Sequence, residues 1–444
     1  MSGGIDIPAS EPQLATLANG LRVVTLAQPW RQTLSLSLFV RTGSHHEAPG
    51  QNGISHVVEH MAFKGTRTRD CQCINLDAER LGAEVNAHTD KDHTAFHIDG
   101  LARDLEVFVP MLADIVLDST FPADELERER QVILQELAEY DEDPEAIAFQ
   151  LFDRACWGLH AAAQPVIGRR ANIARFTRDD LLAYVTRQYT ARNVVVALAG
   201  DLDPDRCLRV VEAGFGAMAA GAENAVAAPA WHGGLKLRRM AGSGQTHMVL
   251  GFQAPTLADD AHLPYVMAAA VFGEGMSSPL LDQIRERRGL AYYAACSADL
   301  LALTGQFVVE ASTAPERAGE CLGEIARLLR QQAEAPDAVA FERARQQLVV
   351  RALRAHEQPA RRLEAAVQEV YTHGRPRSTA EHLARLQAVT PDQVQQTFAT
   401  LLASPPAVAL AGSVPARMRE RVAALFSPDA ATHAPPVARR PLRR

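Results

Sequence analysis

The chain repeats itself. ERERQVILQEL from Glu127 has a counterpart in ERARQQLVVRAL from Glu342, and the segments TRDDLLAYV and NVVVALAGDL, from Thr177 onward, have counterparts in TPDQVQQTF and AVALAGSV from Thr390. The two offsets, 215 and 213 residues, agree. A duplicated unit is the simplest source of such a match, so whatever one half folds into, the other must follow. With 444 residues, 47% hydrophobic and 22% charged, the chain is long enough for two units, each with its own core. The Ala- and Gly-rich run GAMAAGAENAVAAPA from Gly216 reads as the join. The expected division is a first domain over 12–215, a linker over 216–234, a second domain over 235–428 and a disordered tail over 429–444, rich in proline and arginine.

In the first half, strands are expected over 21–28 and 33–40. Leu34, Leu36, Leu38 and Val40 alternate with Ser35 and Ser37, as in a half-buried strand. A helix should carry His56-Val57-Val58-Glu59-His60 and another should lie near 74–82; strands follow near 83–88 and 93–99, helices near 102–117 and 122–140, and a late strand over 193–200. This order predicts an α+β fold of two homologous layered domains, each a mostly antiparallel mixed sheet packed with helices.

Several function classes are set aside by composition. No stretch approaches the roughly 18 uninterrupted apolar residues of a membrane span, and the first residues, MSGGIDIPASEPQ, offer neither a basic nor an apolar leader segment, so a cytoplasmic protein without a membrane partner is expected. Six scattered cysteines read as reduced thiols; Cys71 and Cys73 form the one close pair and lack further ligands at metal-binding spacing. Gly273-Glu274-Gly275 lacks the third glycine and the lysine of a phosphate loop, and no nucleic-acid partner is expected. Charge is uneven: residues 1–215 carry 32 acidic and 20 basic side chains, the remainder 21 and 25. A cleft of one sign would favour basic peptides, while solvated helix faces that merely differ in charge explain the same numbers.

The chemistry concentrates in His56-Val57-Val58-Glu59-His60. On a helix, positions i, i+3 and i+4 share a face, so two imidazoles and a carboxylate point together. Neutral imidazoles bind zinc, and a catalytic zinc takes three protein ligands and leaves a position for water. The glutamate directly precedes the second histidine, the inverted form of the better-known order. Asn52-Gly53 breaks the chain before this helix and Ser55 can cap it, while Ile54, Val57, Val58 and Met61 make its other sides apolar. A third ligand should come from the acidic run beginning at Glu125. Glu129 and Glu136 are two helical turns apart and can face one neighbour, with Val132, Ile133 and Leu137 packing nearby; one carboxylate can bind the metal while the other orients a ligand. Glu125, Glu127, Glu139, Asp141, Glu142 and Asp143 read as a solvated face.

The duplication supplies an internal control. At an offset of 215, Glu129 falls on Ala344 and Glu136 on Arg351; at about 212, His56, Glu59 and His60 fall on Ala268, Val271 and Phe272. The second copy keeps the apolar frame without these side chains, so the fold does not need them.

HVVEHMAFKGT at 56–66, VNAHTDKDHTAF at 85–96, ERERQVILQELAEYDEDP at 127–144 and GMSSPLLDQIRERRGLAYY at 275–293 together resemble the pitrilysin/insulinase-type inverted zinc metallopeptidases, in particular their single-unit, mitochondrial-processing-peptidase-like bacterial branch. The blocks occur in that family's order and cover nearly the whole chain. The resemblance implies one Zn²⁺ per chain held by His56, His60 and Glu136, Glu59 as general base and Glu129 as a supporting carboxylate. It further implies that Asn86 and Ala87 lie on the strand that receives substrate backbone, and that Arg288 and Tyr292 reach the active site from the second, inactive domain. The implied activity is endopeptidase cleavage of peptides or unfolded segments, in a homodimer or a heterodimer with a sister chain. A non-catalytic subunit, known among the family's relatives, is the alternative; such members usually lose ligands that this chain keeps. His45 and His46 read as a surface loop, and His88, His93 and His97 as groups that could support the metal site.

Overall fold

The computed structural model describes residues 10–335 and 337–426, so the tail expected to be disordered lies outside the described residues. The first sheet consists of β1 (Gln13–Thr16), β2 (Arg22–Ala27), β3 (Thr33–Val40), β4 (Glu84–Thr89), β5 (Thr94–Leu101) and β6 (Val194–Gly200), in the order β1-β2-β6-β3-β5-β4. The second consists of β7 (Gly234–Arg239), β8 (Thr246–Gln253), β9 (Tyr293–Leu300), β10 (Gly305–Thr313) and β11 (Ala407–Gly412), in the order β7-β11-β8-β10-β9. With β1 set aside, the two orders coincide strand for strand. Each sheet has a single parallel pair at the same place, β2 with β6 and β7 with β11, and is otherwise antiparallel.

The helices repeat in the same way. The first half carries α1 (Ile54–Ala62), α2 (Cys71–Glu79), α3 (Leu105–Leu117), α4 (Ala123–Glu142), α5 (Pro144–Trp157), α6 (Arg170–Ile173), α7 (Arg178–Gln188) and α8 (Pro204–Phe215). The second carries α9 (Leu263–Gly273), α10 (Pro279–Leu281), α11 (Ala318–Glu334), α12 (Ala338–His356), α13 (Pro359–His373), α14 (Thr379–Gln387), α15 (Pro391–Ala403) and α16 (Met418–Leu425). Ala268, Val271 and Phe272, the counterparts of the motif residues, are all buried in α9, an apolar helix in place of an amphipathic one. No helix of the described residues is long and apolar enough to cross a membrane.

One expectation fails in an informative way. The strand β3 is buried on both faces, not half-buried: Leu34, Leu36 and Leu38 join the core of the first half, and on the other face Ser37 is 2% exposed and Phe39 1%. The cover comes from the second half. Along α13, Leu363, Ala366, Val367, Val370 and Tyr371 pack on Val24, Leu26, Phe39, Val195 and Ala197, and the Tyr371 hydroxyl donates to the Phe39 carbonyl at 3.0 Å. Reciprocally, α5 leaves the first half to lay Ile147, Ala148, Phe152 and Ala155 on Val249, Val308, Ala407 and Ala409 of the second sheet. A Cβ on Gly251 would sit 2.5 Å from the Phe152 ring, so the residue beneath this helix has to be glycine. Each half therefore closes the other's sheet.

The connection between the halves is tied down. Asn193 in front of β6 accepts from the Asn224 amide at 2.7 Å and donates to the Ala222 carbonyl at 2.9 Å, while the Asn224 side chain donates to the Arg41 carbonyl at 2.8 Å.

Candidate metal centre

The helix that carries the motif is fixed at its start by a residue the sequence did not nominate. Gly53 takes a left-handed conformation (φ 100°) as its N-cap, and a Cβ there would meet the Gly168 backbone at 2.8 Å. Ser55 does not cap; it lies inside the first turn, where its hydroxyl pairs with Tyr184 at 2.7 Å. Glu47 does the capping instead. One of its oxygens accepts from the Gly53 amide at 2.8 Å and the Asn52 side chain at 2.9 Å, the other from the Ser55 amide at 2.8 Å. A carboxylate satisfies several orphan donors of a helix N-terminus at once and suits its dipole.

With the helix start anchored, Ile54, Val57, Val58 and Met61 fill the core and leave His56, Glu59 and His60 half-buried on one face. Across from them, α4 buries Leu126, Ile133 and Leu137 and presents Glu129 and Glu136. Val132, expected to pack beside them, is instead 47% exposed. Three atoms converge: His56 Nε2 and Glu136 Oε2 are 3.9 Å apart, His60 Nε2 and Glu136 Oε2 3.7 Å, and all three lie within 4.8 Å of one another. These separations exceed a hydrogen bond. Glu136 Oε2, which faces the cluster, is buried without a hydrogen-bond partner, as expected of a site whose occupant is a cation. Two imidazoles and a carboxylate are the donor set of a catalytic zinc.

The surroundings prepare each donor. Burial, with His60 beside it, pushes His56 down to about 4, so its imidazole is neutral at pH 7, the state that binds a metal. His60 Nδ1 lies 3.1 Å from Glu129 Oε2, which fixes the ring and turns Nε2 toward Glu136. Burial opposes a charge on Glu129, yet Lys64 and His60 outweigh it and hold the carboxyl below its usual range. Glu59 points at none of these groups; its Oε2 accepts from the Thr89 hydroxyl at 2.7 Å, and burial raises its carboxyl above the usual range.

Over these residues lies a cavity of about 850 Å³, lined by His56, Glu59, Ala87 and Glu136 from the first half and by Asp299 and Gln306 from the second. Glu139 and Asp143, read as part of a solvated face, are exposed and also border it. β4 forms the free edge of its sheet, and Ala87 on it faces the cavity; the Asn86 side chain accepts from the Ala87 amide at 2.8 Å. Arg288 and Tyr292 are elsewhere. Arg288 pairs with Glu320 and Glu324 of α11, and Tyr292 is 82% exposed with Arg285 over its ring; neither lines the cavity.

Other histidines also depart from expectation. His45 is buried, not on a surface loop, and both its ring nitrogens lack partners. His88, His93 and His97 hydrogen-bond to one another and make no hydrogen bond to His56, His60 or Glu136. Cys71 and Cys73 are free thiols at the start of α2. Lys64 and Thr89 are the supporting residues that sequence reasoning missed. Both were visible in principle: Lys64 follows His60 by one helical turn, and Thr89 follows Ala87 by one strand period.

The sequence matches the family described as insulinase, peptidase family M16, over residues 22–170, and the peptidase M16 inactive domain over 175–348. A Mycobacterium tuberculosis protein named as an uncharacterized zinc protease is 32% identical over 430 residues, covering 93% of this chain and 97% of that one. The chain belongs to the M16 peptidase family. An uncharacterized zinc protease of Bacillus subtilis, YmxG, is 34% identical over 278 residues, 62% of this chain and 68% of that protein. A Helicobacter pylori protease structure superposes with a TM-score of 0.84 at 18% identity, covering 91% of this chain and 99% of that one, and shares its fold.

Proposed function

We propose that this chain is a zinc metallopeptidase that cuts extended peptides or unfolded protein segments in the cavity between its halves. The observation that carries the reading is the convergence of His56 Nε2, His60 Nε2 and Glu136 Oε2 beside a carboxylate, Glu59, that stays out of the cluster. The three converging side chains would hold one Zn²⁺ per chain, which supplies Lewis acidity to a carbonyl and makes water a nucleophile near neutral pH. Family membership and the names of the relatives support the same assignment.

In this reading Glu59 takes the proton of the attacking water and returns it to the leaving amine. Thr89 aims the carboxylate, and Glu129 with Lys64 holds His60 in its tautomer. Substrate backbone would add as a strand to the free edge of β4 at Asn86 and Ala87, an arrangement that favours chains without fixed structure. Arg288 and Tyr292 would join the site only if the second half moves toward it. The six free thiols fit a reducing, cytoplasmic setting. Assembly as a homodimer or with a sister chain belongs to the same reading, and cleavage by the purified chain alone decides whether a different partner is required.

The test is Glu59→Gln. Zinc content should stay at that of the unaltered chain while turnover of a quenched-fluorescent peptide library falls by about 10²–10⁴-fold, the usual worth of a general base. Undiminished cleavage would remove Glu59 from the role.

A further inference from the structure

At the end of β4, where His88 also borders the cavity, the hairpin between β4 and β5 brings His88 and His93 together, with their Nε2 atoms 3.2 Å apart. That is close to the separation of about 3.3 Å that two nitrogens adopt when both bind one tetrahedral ion at roughly 2.0–2.1 Å. The far sides of both rings are occupied. His93 Nδ1 is 2.7 Å from the Asp92 carboxylate, and His88 Nδ1 is 3.0 Å from His97 Nε2, whose own Nδ1 meets the Ser37 hydroxyl at 2.8 Å. An acceptor behind the ring is the usual support of a metal-binding histidine, since it accepts a hydrogen bond from Nδ1–H and leaves the Nε2 lone pair pointing forward.

The third group comes from the other half of the molecule. A Glu364 oxygen on α13, one ring nitrogen of His88 and one of His93 all lie within 4.8 Å of one another, and this carboxylate has no hydrogen bond or ion pair among the described residues. A rotamer change of Glu364 would have to bring its oxygen to roughly 2.0–2.2 Å from the ion. One turn along α13, the Gln368 amide lies 3.2 Å from His93 Nδ1. His93 is 2% exposed, whereas His88 is half-buried and borders the cavity.

We infer that His88, His93 and Glu364 form a second divalent-metal site, suited to a borderline ion such as Zn²⁺, which staples the substrate-edge hairpin of the first half to the helix contributed by the second. The site uses none of His56, His60 and Glu136 and does not depend on their assignment. Its ligands are drawn from both halves, so an ion here binds the closed, folded chain and adds to its stability.

The experiment uses the full chain with His60→Ala to weaken the first centre, stripped by chelator and titrated with Zn²⁺ by calorimetry, with bound metal counted by plasma mass spectrometry. One equivalent should remain, and zinc should raise the melting temperature. Adding Glu364→Gln, a near-isosteric change at a half-buried position, should weaken that equivalent by roughly tenfold or more, and adding His88→Ala should abolish both the binding and the thermal shift. Absence of zinc binding by the His60→Ala chain, as when a proton alone bridges the two rings, overturns the inference. So does binding indifferent to both additional substitutions. If the unaltered chain also takes up a single equivalent and loses it with His88→Ala, the first centre has failed while this one stands.

Discussion

His60 shows how much one side chain has to be told by its neighbours. Its two nitrogens serve different purposes: Nδ1 faces Glu129, and Nε2 faces Glu136. The motif spacing made His56, Glu59 and His60 legible in the sequence, because helical periodicity alone puts them on one face. The choice between Glu129 and Glu136 was not legible from periodicity and came only from the family resemblance. Both lie on the same side of α4, and only the offset of α4 along α1 sets which carboxylate meets Nε2 and which meets Nδ1. The division has a measurable consequence. Glu129→Gln keeps the shape while removing the charge that orients His60 and pairs with Lys64, so zinc affinity should fall about 10- to 100-fold in competition with a chelator of known strength. An unchanged affinity would mean that Glu129 neighbours the centre without holding it. Arg288 and Tyr292 illustrate the opposite limit. The family resemblance nominated them, but their location depends on how the second half is placed; here Arg288 pairs with Glu320 and Glu324 of α11 and Tyr292 lies in solvent.

At the scale of elements, local pattern foretold most strands of the first half and its helices α1 to α4, though not α5 to α8, and misjudged what finishes them. Ser55 sits where a capping residue is commonly found, yet the first-turn donors of α1 are satisfied by Glu47, a buried carboxylate that reaches them across an intervening loop. No short-range rule detects such a cap. Removing it in Glu47→Ala strands the Asn52, Gly53 and Ser55 donors in the interior and should lower unfolding stability by about 2–3 kcal/mol. The denaturant midpoint would drop with little change in slope, and zinc affinity would weaken as the motif helix frays. A midpoint unchanged within error would show that water replaces the carboxylate without loss. β3 carries the same lesson. Alternation of leucine with serine implied one wet face, but Ser35 bonds to Asp99 at 2.6 Å, Ser37 bonds to His97 at 2.8 Å, and Phe39 lies under α13. The small polar residues are satisfied by partners on β5 that the alternation pattern does not show.

At the scale of the whole molecule, the repeat was readable as an offset, whereas the exchange of helices between its two copies was not. Pro144 and Pro359, which open α5 and α13, are themselves 215 residues apart, so the exchanged helices are equivalents under the duplication. Their apolar stripes look like those of any core-facing helix; which sheet they cover is decided only when both halves are present. The arrangement makes the cavity a property of the pair, with Asp299 and Gln306 completing a wall that begins at His56 and Ala87. Lys91 ties the hairpin of the first sheet to α5 through Asp153 at 2.6 Å, and Gln306 of the second sheet reaches the same carboxylate at 3.2 Å. Cutting the chain within 216–233 and expressing the pieces separately should therefore uncover two apolar faces. Val24, Phe39 and Val195 would lose α13, and Val249, Val308 and Ala409 would lose α5. Each piece alone is expected to aggregate, or to bind a hydrophobic dye and unfold without cooperativity, and co-expression should restore a one-to-one complex that binds zinc. A half that stays monomeric and unfolds in a single sharp transition by itself would mean that the exchanged helix merely decorates a finished sheet. Such a result would move the origin of the cavity from the fold of each half to a weaker association between them.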